Sequence, residues 1–178
     1  FSPEINYHKH YINRYAFLFN EYIGNKYVYL PELSLRHTGQ KTFQFDNSHK
    51  TIALYLGGEN KEFRKYPDEY AVQLLRLLNR QGYNLLLIGD ENDNIKHTQY
   101  AEEARIDHLI NLTARTTIEG FINTIANVDL IITIDSSALH IAAAVKTPFI
   151  ALMGLSTSPT STILPKVPLG RILKIENN

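Results

Sequence analysis

From Thr51 onward, short apolar runs alternate with amphipathic segments, the pattern of βα units feeding a parallel sheet. The runs predict strands over residues 51–56, 83–88, 109–112, 128–134 and 148–153. Helices are predicted between them. The first starts at Pro67-Asp68-Glu69-Tyr70, with proline and acids in its opening turn, continues its apolar face through Leu74, Leu75 and Leu78, and stops at Gly82. A polar helix follows over 96–106, another over 117–126 with Thr116 or Thr117 as its cap, and a short alanine-rich one over 138–145.

Continuous apolar strands such as Leu85-Leu86-Leu87-Ile88 and Leu130-Ile131-Ile132-Thr133-Ile134 need cover on both faces of their sheet. The fold class is therefore α/β, a Rossmann-like doubly wound parallel sheet. Ligands of such sheets sit outside the carboxyl ends of the strands, so function belongs to the loops after Leu56, Ile88, Leu112, Ile134 and Met153. The first fifty residues differ. Residues 7–22 are aromatic and basic with a rough helical period and 25–48 are irregular, so 1–50 reads as a linker or the remnant of another domain, with the sheet domain at 51–178.

The chain has 178 residues, 44% hydrophobic and 20% charged, enough for one domain with a real core. Eighteen basic and eighteen acidic residues cancel, which leaves no chain-wide footprint for nucleic acid or an anionic membrane. Any phosphate must be bound by local charge. Without cysteine there are no disulfides, thiolate metal sites or cysteine nucleophiles. No apolar stretch is long enough for a transmembrane segment and the start lacks signal-peptide order, so the chain reads as cytoplasmic. Phe1 in place of an initiating methionine suggests a piece of something longer.

The strongest local feature is Asp135-Ser136-Ser137-Ala138-Leu139-His140, where a β-branched strand runs straight into a helix. Free amides at such a helix start, with the dipole behind them, form a ready anion site, and His140 lies near the same end. Equally, Ser136 or Ser137 can be an ordinary N-cap and Asp135 a turn residue. A second feature, Gly57-Gly58-Glu59-Asn60-Lys61-Glu62-Phe63-Arg64-Lys65, pairs two glycines that let backbone approach a ligand with three cations. It is neither a P-loop nor a G-x-G-x-x-G fingerprint. The acidic turn Gly89-Asp90-Glu91-Asn92-Asp93 fails as an EF-hand, since Ile95 stands at the glycine position and Ala101 at that of the bidentate glutamate. Its acids either accept ribose hydroxyls or simply open a helix. His8 and His10 read as surface residues, and no metal site or cofactor is expected.

Together these blocks resemble the heptosyltransferases of glycosyltransferase family 9, from Thr51 to about Pro165. The family's Lys-x-Trp-Pro looks like Arg64-Lys65-Tyr66-Pro67, with Asn60 where Ser or Thr is usual. Its glycine-and-acid turn is similar to Gly89-Asp90-Glu91. Its Asp-Ser/Thr-Gly-x-x-His-x-x-Ala-Ala resembles Asp135 through Ala144, and Ile110-Asn111-Leu112-Thr113-Ala114 also looks like the family's. Two positions depart from the pattern: Ser137 replaces the hallmark glycine, leaving the donor open, and Glu59 lies beside the phosphate loop.

The resemblance implies the C-terminal, donor-binding half of a two-domain GT-B enzyme. The donor would be a nucleoside-diphosphate sugar, ADP-heptose first, and the acceptor a lipid-linked glycan of the lipopolysaccharide type, with peripheral attachment at the inner membrane. Transfer would be inverting and metal-independent. Asn60, Arg64, Ser136, Ser137, Ala138, Leu139 and His140 would hold the diphosphate, Asp135 the donor sugar or its loop, and Glu91 and Thr116 the ribose and base. The general base would come from the other half, leaving this chain to bind donor without turnover. A non-catalytic sugar-nucleotide-binding domain and a GT-B-type epimerase are the alternatives.

Overall fold

One six-stranded sheet organises the molecule, in the order β3-β2-β1-β4-β5-β6 and parallel throughout. Its strands are β1 (Thr51–Tyr55), β2 (Asn84–Leu87), β3 (Leu109–Asn111), β4 (Leu130–Ile134), β5 (Phe149–Met153) and β6 (Gly170–Lys174). The connecting helices are α1 (Asp68–Arg80), α2 (Asn94–Ala104), α3 (Ile118–Ala126) and α4 (Ser137–Val145), with a single 3-10 turn, Glu91–Asp93, leading into α2. The computed structural model describes residues 34–45, 48–58, 66–154 and 170–174, together with Tyr22 and Gly24.

Alternation along each strand divides the core in two. Ile52, Leu54, Leu56, Leu85 and Leu87 pack against Ala71, Val72 and Leu75 of α1 and Tyr100 and Ala104 of α2. Ala53, Tyr55, Leu86, Ile88 and Ile131 face the other way, against Ile125 of α3 and Ala138, Leu139 and Ala142 of α4. Both faces are therefore covered, as the unbroken apolar runs required. Each large aliphatic side chain removed from water this way contributes about 1.5–3 kcal/mol.

Helix ends follow local chemistry. Pro67 occupies the cap position of α1 with extended backbone, and its carbonyl accepts from the Tyr70 and Ala71 amides. At the other end Gly82 takes φ +82°, while the Gly82 and Tyr83 amides return to Asn79 and Leu78 in a Schellman closure. Helix α2 differs from the expected 96–106 at both ends: it starts two residues earlier, behind the 3-10 turn, and Arg105 in the left-handed region (φ 53°) ends it at Ala104. Thr117, rather than Thr116, caps α3 by accepting from the Gly120 amide at 3.1 Å.

Strand β6 was not among the predicted elements. Only two apolar residues, Ile172 and Leu173, stand in it, and both are exposed on the sheet edge beside Arg171. Gly170 lets it approach β5: a Cβ there would fall 2.3 Å from the Phe149 ring. Residues 34–45, irregular in sequence, lie along α3 and α4. The Thr38 amide donates to Asn123 Oδ1 and Asn123 Nδ2 to Thr38 Oγ1, Thr42 meets Thr124, and the Leu35 amide reaches the Ala144 carbonyl.

Leu54, fully buried in the central strand beneath α1, tests this packing. Leu54→Ala is expected to lower unfolding free energy by roughly 2–5 kcal/mol in urea titrations. A loss under about 1 kcal/mol would contradict a tightly covered central strand.

Candidate functional site

Strand order reverses between β1 and β4, so the connections leaving their carboxyl ends run to opposite sides and open a crevice there. The Asp135 segment and Gly57-Gly58, the described part of the second feature, fall at this crevice. Ile134, the last residue of β4, lies against the turn that leaves β1: a Cβ built on Gly58 would fall 2.8 Å from Ile134 Cδ1.

Beyond Ile134 the buried Asp135 leads to Ser136, which has extended backbone at the cap position of α4. Its hydroxyl does not cap the helix. Ser136 Oγ lies 3.0 Å from Thr133 Oγ1, and only the Ser136 carbonyl joins the helix, by accepting from the Leu139 amide. The two readings of this segment thus differ physically: the serine is in cap position, yet its side chain leaves the first-turn amides to other partners. Ala138 and Leu139 point into the core, so they can offer a ligand only backbone. Ser137 and His140 are exposed. Ser137 is an ordinary helical residue outside the positive-φ region, so the hallmark glycine position carries a side chain here without backbone strain.

The glycines of the β1 turn have a different cause from the one their pairing suggested. Gly57 is buried, and a Cβ on it would fall 1.9 Å from Asp93 Oδ1; one on Gly89 would fall 2.7 Å from Asp93 Oδ2. Close approach is required by an internal carboxylate, not left open for a ligand. Asp93, 2% exposed, accepts from the Gly58 amide at 2.9 Å and from the Asp90 amide at 3.2 Å, the latter inside a capping box with Asp90. Gly58 itself holds φ +100°. Asn60 and Arg64, with Glu59, Lys61 and Lys65, lie outside the described residues.

On the β2–β3 side of the same edge, Glu91 is exposed on the 3-10 turn and Thr116 is half-buried ahead of α3. The acid turned inward is Asp93, which the sequence reading passed over. Its signal was the Asp90-x-x-Asp93 spacing of a capping box. The loops after β2 and β3 are joined directly, the Ala114 amide donating to the Gly89 carbonyl. Behind them His97, fully buried, pairs Nδ1 with Thr113 Oγ1 at 2.7 Å, while its Nε2 is buried without a partner among the described residues. Burial, reinforced by the Asp93 and Asp90 carboxylates, holds the Tyr55 phenol above its ordinary pKa.

A cavity of about 830 Å³ lies at the opposite edge of the sheet, lined by Phe43, Phe45, His49, Lys50 and Asp129 among others. It adjoins the amino ends of β1 and β4, away from the strand-end loops where such sheets bind ligands. The Lys50–Asp129 ion pair at 2.7 Å and the Thr51 amide on Asp129 close its base. Among the described residues, no group of three or more His, Asp or Glu could hold a metal, and no helix is long and apolar enough to cross a membrane.

The model of glycosyltransferase family 9 (heptosyltransferase) matches residues 2–175. A lipooligosaccharide heptosyltransferase 2 from Haemophilus influenzae is 35% identical over 114 residues, covering 62% of this chain and 33% of that protein. The matched stretch thus spans about a third of the length of the curated relatives. Among solved structures, a family 9 glycosyltransferase from Veillonella parvula superposes with a TM-score of 0.79 at 16% identity, over 96% of this chain and 51% of that one. The E. coli heptosyltransferase WaaC with ADP gives 0.69 at 16% identity, over 98% and 53%. At these identities the structures speak for the fold, and the Rossmann-like parallel sheet is theirs as well.

The buried imidazole gives a pH test of this edge. Desolvation lowers the His97 pKa to about 4, against the opposing pull of Asp93 and Asp90. The unfolded imidazole titrates near 6.5, so between those values the unfolded chain binds more protons than the folded one. The neutral histidine's contribution is full above about pH 6.5 and is lost as pH falls towards 4, roughly 3 kcal/mol in all. His97→Gln should flatten this part of the stability curve in urea titrations. Parallel curves for the two proteins would contradict a histidine buried neutral.

Proposed function

Since the chain belongs to glycosyltransferase family 9, we propose that its protein transfers a heptosyl group from ADP-heptose to a lipopolysaccharide-type acceptor, with this chain forming the donor site. The observation that carries the reading is the start of α4 at the strand-order reversal, with first-turn amides that no serine side chain caps. An anion at a helix start gains both from those N–H groups and from the positive end of the dipole. WaaC of E. coli has been solved with ADP and with ADP-2-deoxy-2-fluoro heptose, which supports an adenosine diphosphate as the ligand class.

In this reading the diphosphate lies across the crevice. The Ser136 to Leu139 backbone and His140 take it from the β4 side, and Asn60 and Arg64 from the loop after β1. Arg64 offers two parallel hydrogen bonds where the family's lysine supplies a point charge. Glu91 and Thr116 border the ribose and base, and Asp135 faces the donor sugar or orients its loop. An acceptor hydroxyl attacks the anomeric carbon from the side opposite the leaving group, its proton goes to a base outside this chain, and the nucleoside diphosphate departs with inversion. Negative charge grows on the departing diphosphate, so donors placed beforehand lower the barrier instead of merely holding substrate. Residues 1–50 lead in from the acceptor half, and the whole protein works peripherally at the inner membrane, where its acceptor lies.

Calorimetry on the whole protein with ADP, UDP and GDP tests the donor assignment. ADP is expected to bind best. His140→Ala and Arg64→Ala should each weaken it about tenfold, as loss of a charge-assisted hydrogen bond does. Failure of all three nucleotides to bind, or unchanged affinity in both variants, would remove the donor site from this edge.

A further inference from the structure

Asp93 is placed unlike any other acid described at this edge. Its two oxygens receive backbone amides from two different strand-end loops, Gly58 after β1 and Asp90 after β2. A neutral side chain of the same size has one acceptor oxygen and could serve only one of these amides. The surroundings are shaped to the carboxylate, because any side chain at Gly57 or Gly89 would overlap it. The turn so held is one that needs holding: Gly58 at φ +100° lies where L side chains are strained, and a glycine, free to take either sign of φ, needs partners to fix it there.

From Gly58 the contacts lead on to the donor site. Its Cα packs against Ile134, and Ile134 immediately precedes Asp135, Ser136 and the amides that open α4. We propose that Asp93 is a positioning residue: its buried carboxylate fixes the Gly57–Gly58 turn, and through it the spacing between the β1 loop and the start of α4. The proposal rests on the donor-site reading above and deepens it. Asp93 touches no ligand in this account. It acts by holding the turn against Ile134, next to the amides that do, and a displacement of about 1 Å in such a frame can cost up to a hundredfold in rate.

The test measures ADP affinity by calorimetry in the whole protein, with folding followed by thermal melting. Asp93→Asn keeps the shape but turns an amide nitrogen towards one of the two backbone donors, and it should weaken ADP binding about tenfold. Gly58→Ala disturbs the same turn from its other side and should weaken ADP comparably, without altering the carboxylate. Thr147→Ala removes a buried hydrogen bond, to the Ile125 carbonyl, at the far edge of the sheet. It should lower the melting temperature while leaving ADP affinity within about twofold, separating positioning from general loss of stability. ADP affinity unchanged in a folded Asp93→Asn protein overturns the proposal. If that variant does not fold, unchanged affinity in Gly58→Ala overturns it equally. Either result, alongside weakened binding in His140→Ala, leaves the donor site standing; absence of ADP binding in the unaltered protein removes both.

Discussion

The reversal of strand order between β1 and β4 is the constraint from which the rest of the molecule follows. From β1 the chain steps outward through β2 to β3 with α1 and α2 on one face; from β4 it steps the other way through β5 to β6, with α3 and α4 on the opposite face. Two central strands that both need burying then have helices on both sides. The same divergence opens a gap at their carboxyl ends. Stability and ligand access thus come from one topological choice, and substitutions that weaken β1 or β4 act on both.

The chain's formal charge is zero, so attraction for a diphosphate has to be made locally. At the reversal the source proposed for it is largely backbone: the amides opening α4, oriented by a helix whose first turn no serine side chain caps. Backbone donors of this kind are fixed before the ligand arrives and need no reorganisation as charge develops. Across the crevice, among the loops after β1, β2 and β3, lies a polar layer with almost no access to water, in which Asp93 serves two amides and His97 is held neutral by burial. Its role is to hold loops in place, and its low exposure keeps bulk solvent from competing for those bonds.

Legibility in the sequence followed burial. The apolar runs of β1, β2, β4 and β5 announced a sheet covered on both faces, and the carboxyl-edge loops followed from that alone. Strand β6 was silent because an exposed edge strand needs little apolar content, and its pairing depends on Gly170 fitting against a phenylalanine twenty-one residues earlier in the chain. Residues 34–45 have no periodicity because they are held by single polar contacts, Thr38 with Asn123 above all. Gly57 and Gly89 show the deeper difficulty. A glycine records that something comes close, and only the fold shows that here it is the side chain of Asp93. The same turn exposes Glu91, which the resemblance sets beside the ribose, and directs Asp93 inward.

The central claim, that the β1–β4 crevice receives a nucleoside diphosphate on the first turn of α4, is tested most directly by a crystal structure of the whole protein with ADP. The β-phosphate is expected within hydrogen-bonding distance of the Ser137 and Ala138 amides, with the adenosine extending towards Glu91 and Thr116. ADP seated elsewhere, for instance in the cavity beside Lys50 and Asp129, with the start of α4 left to water, would contradict it.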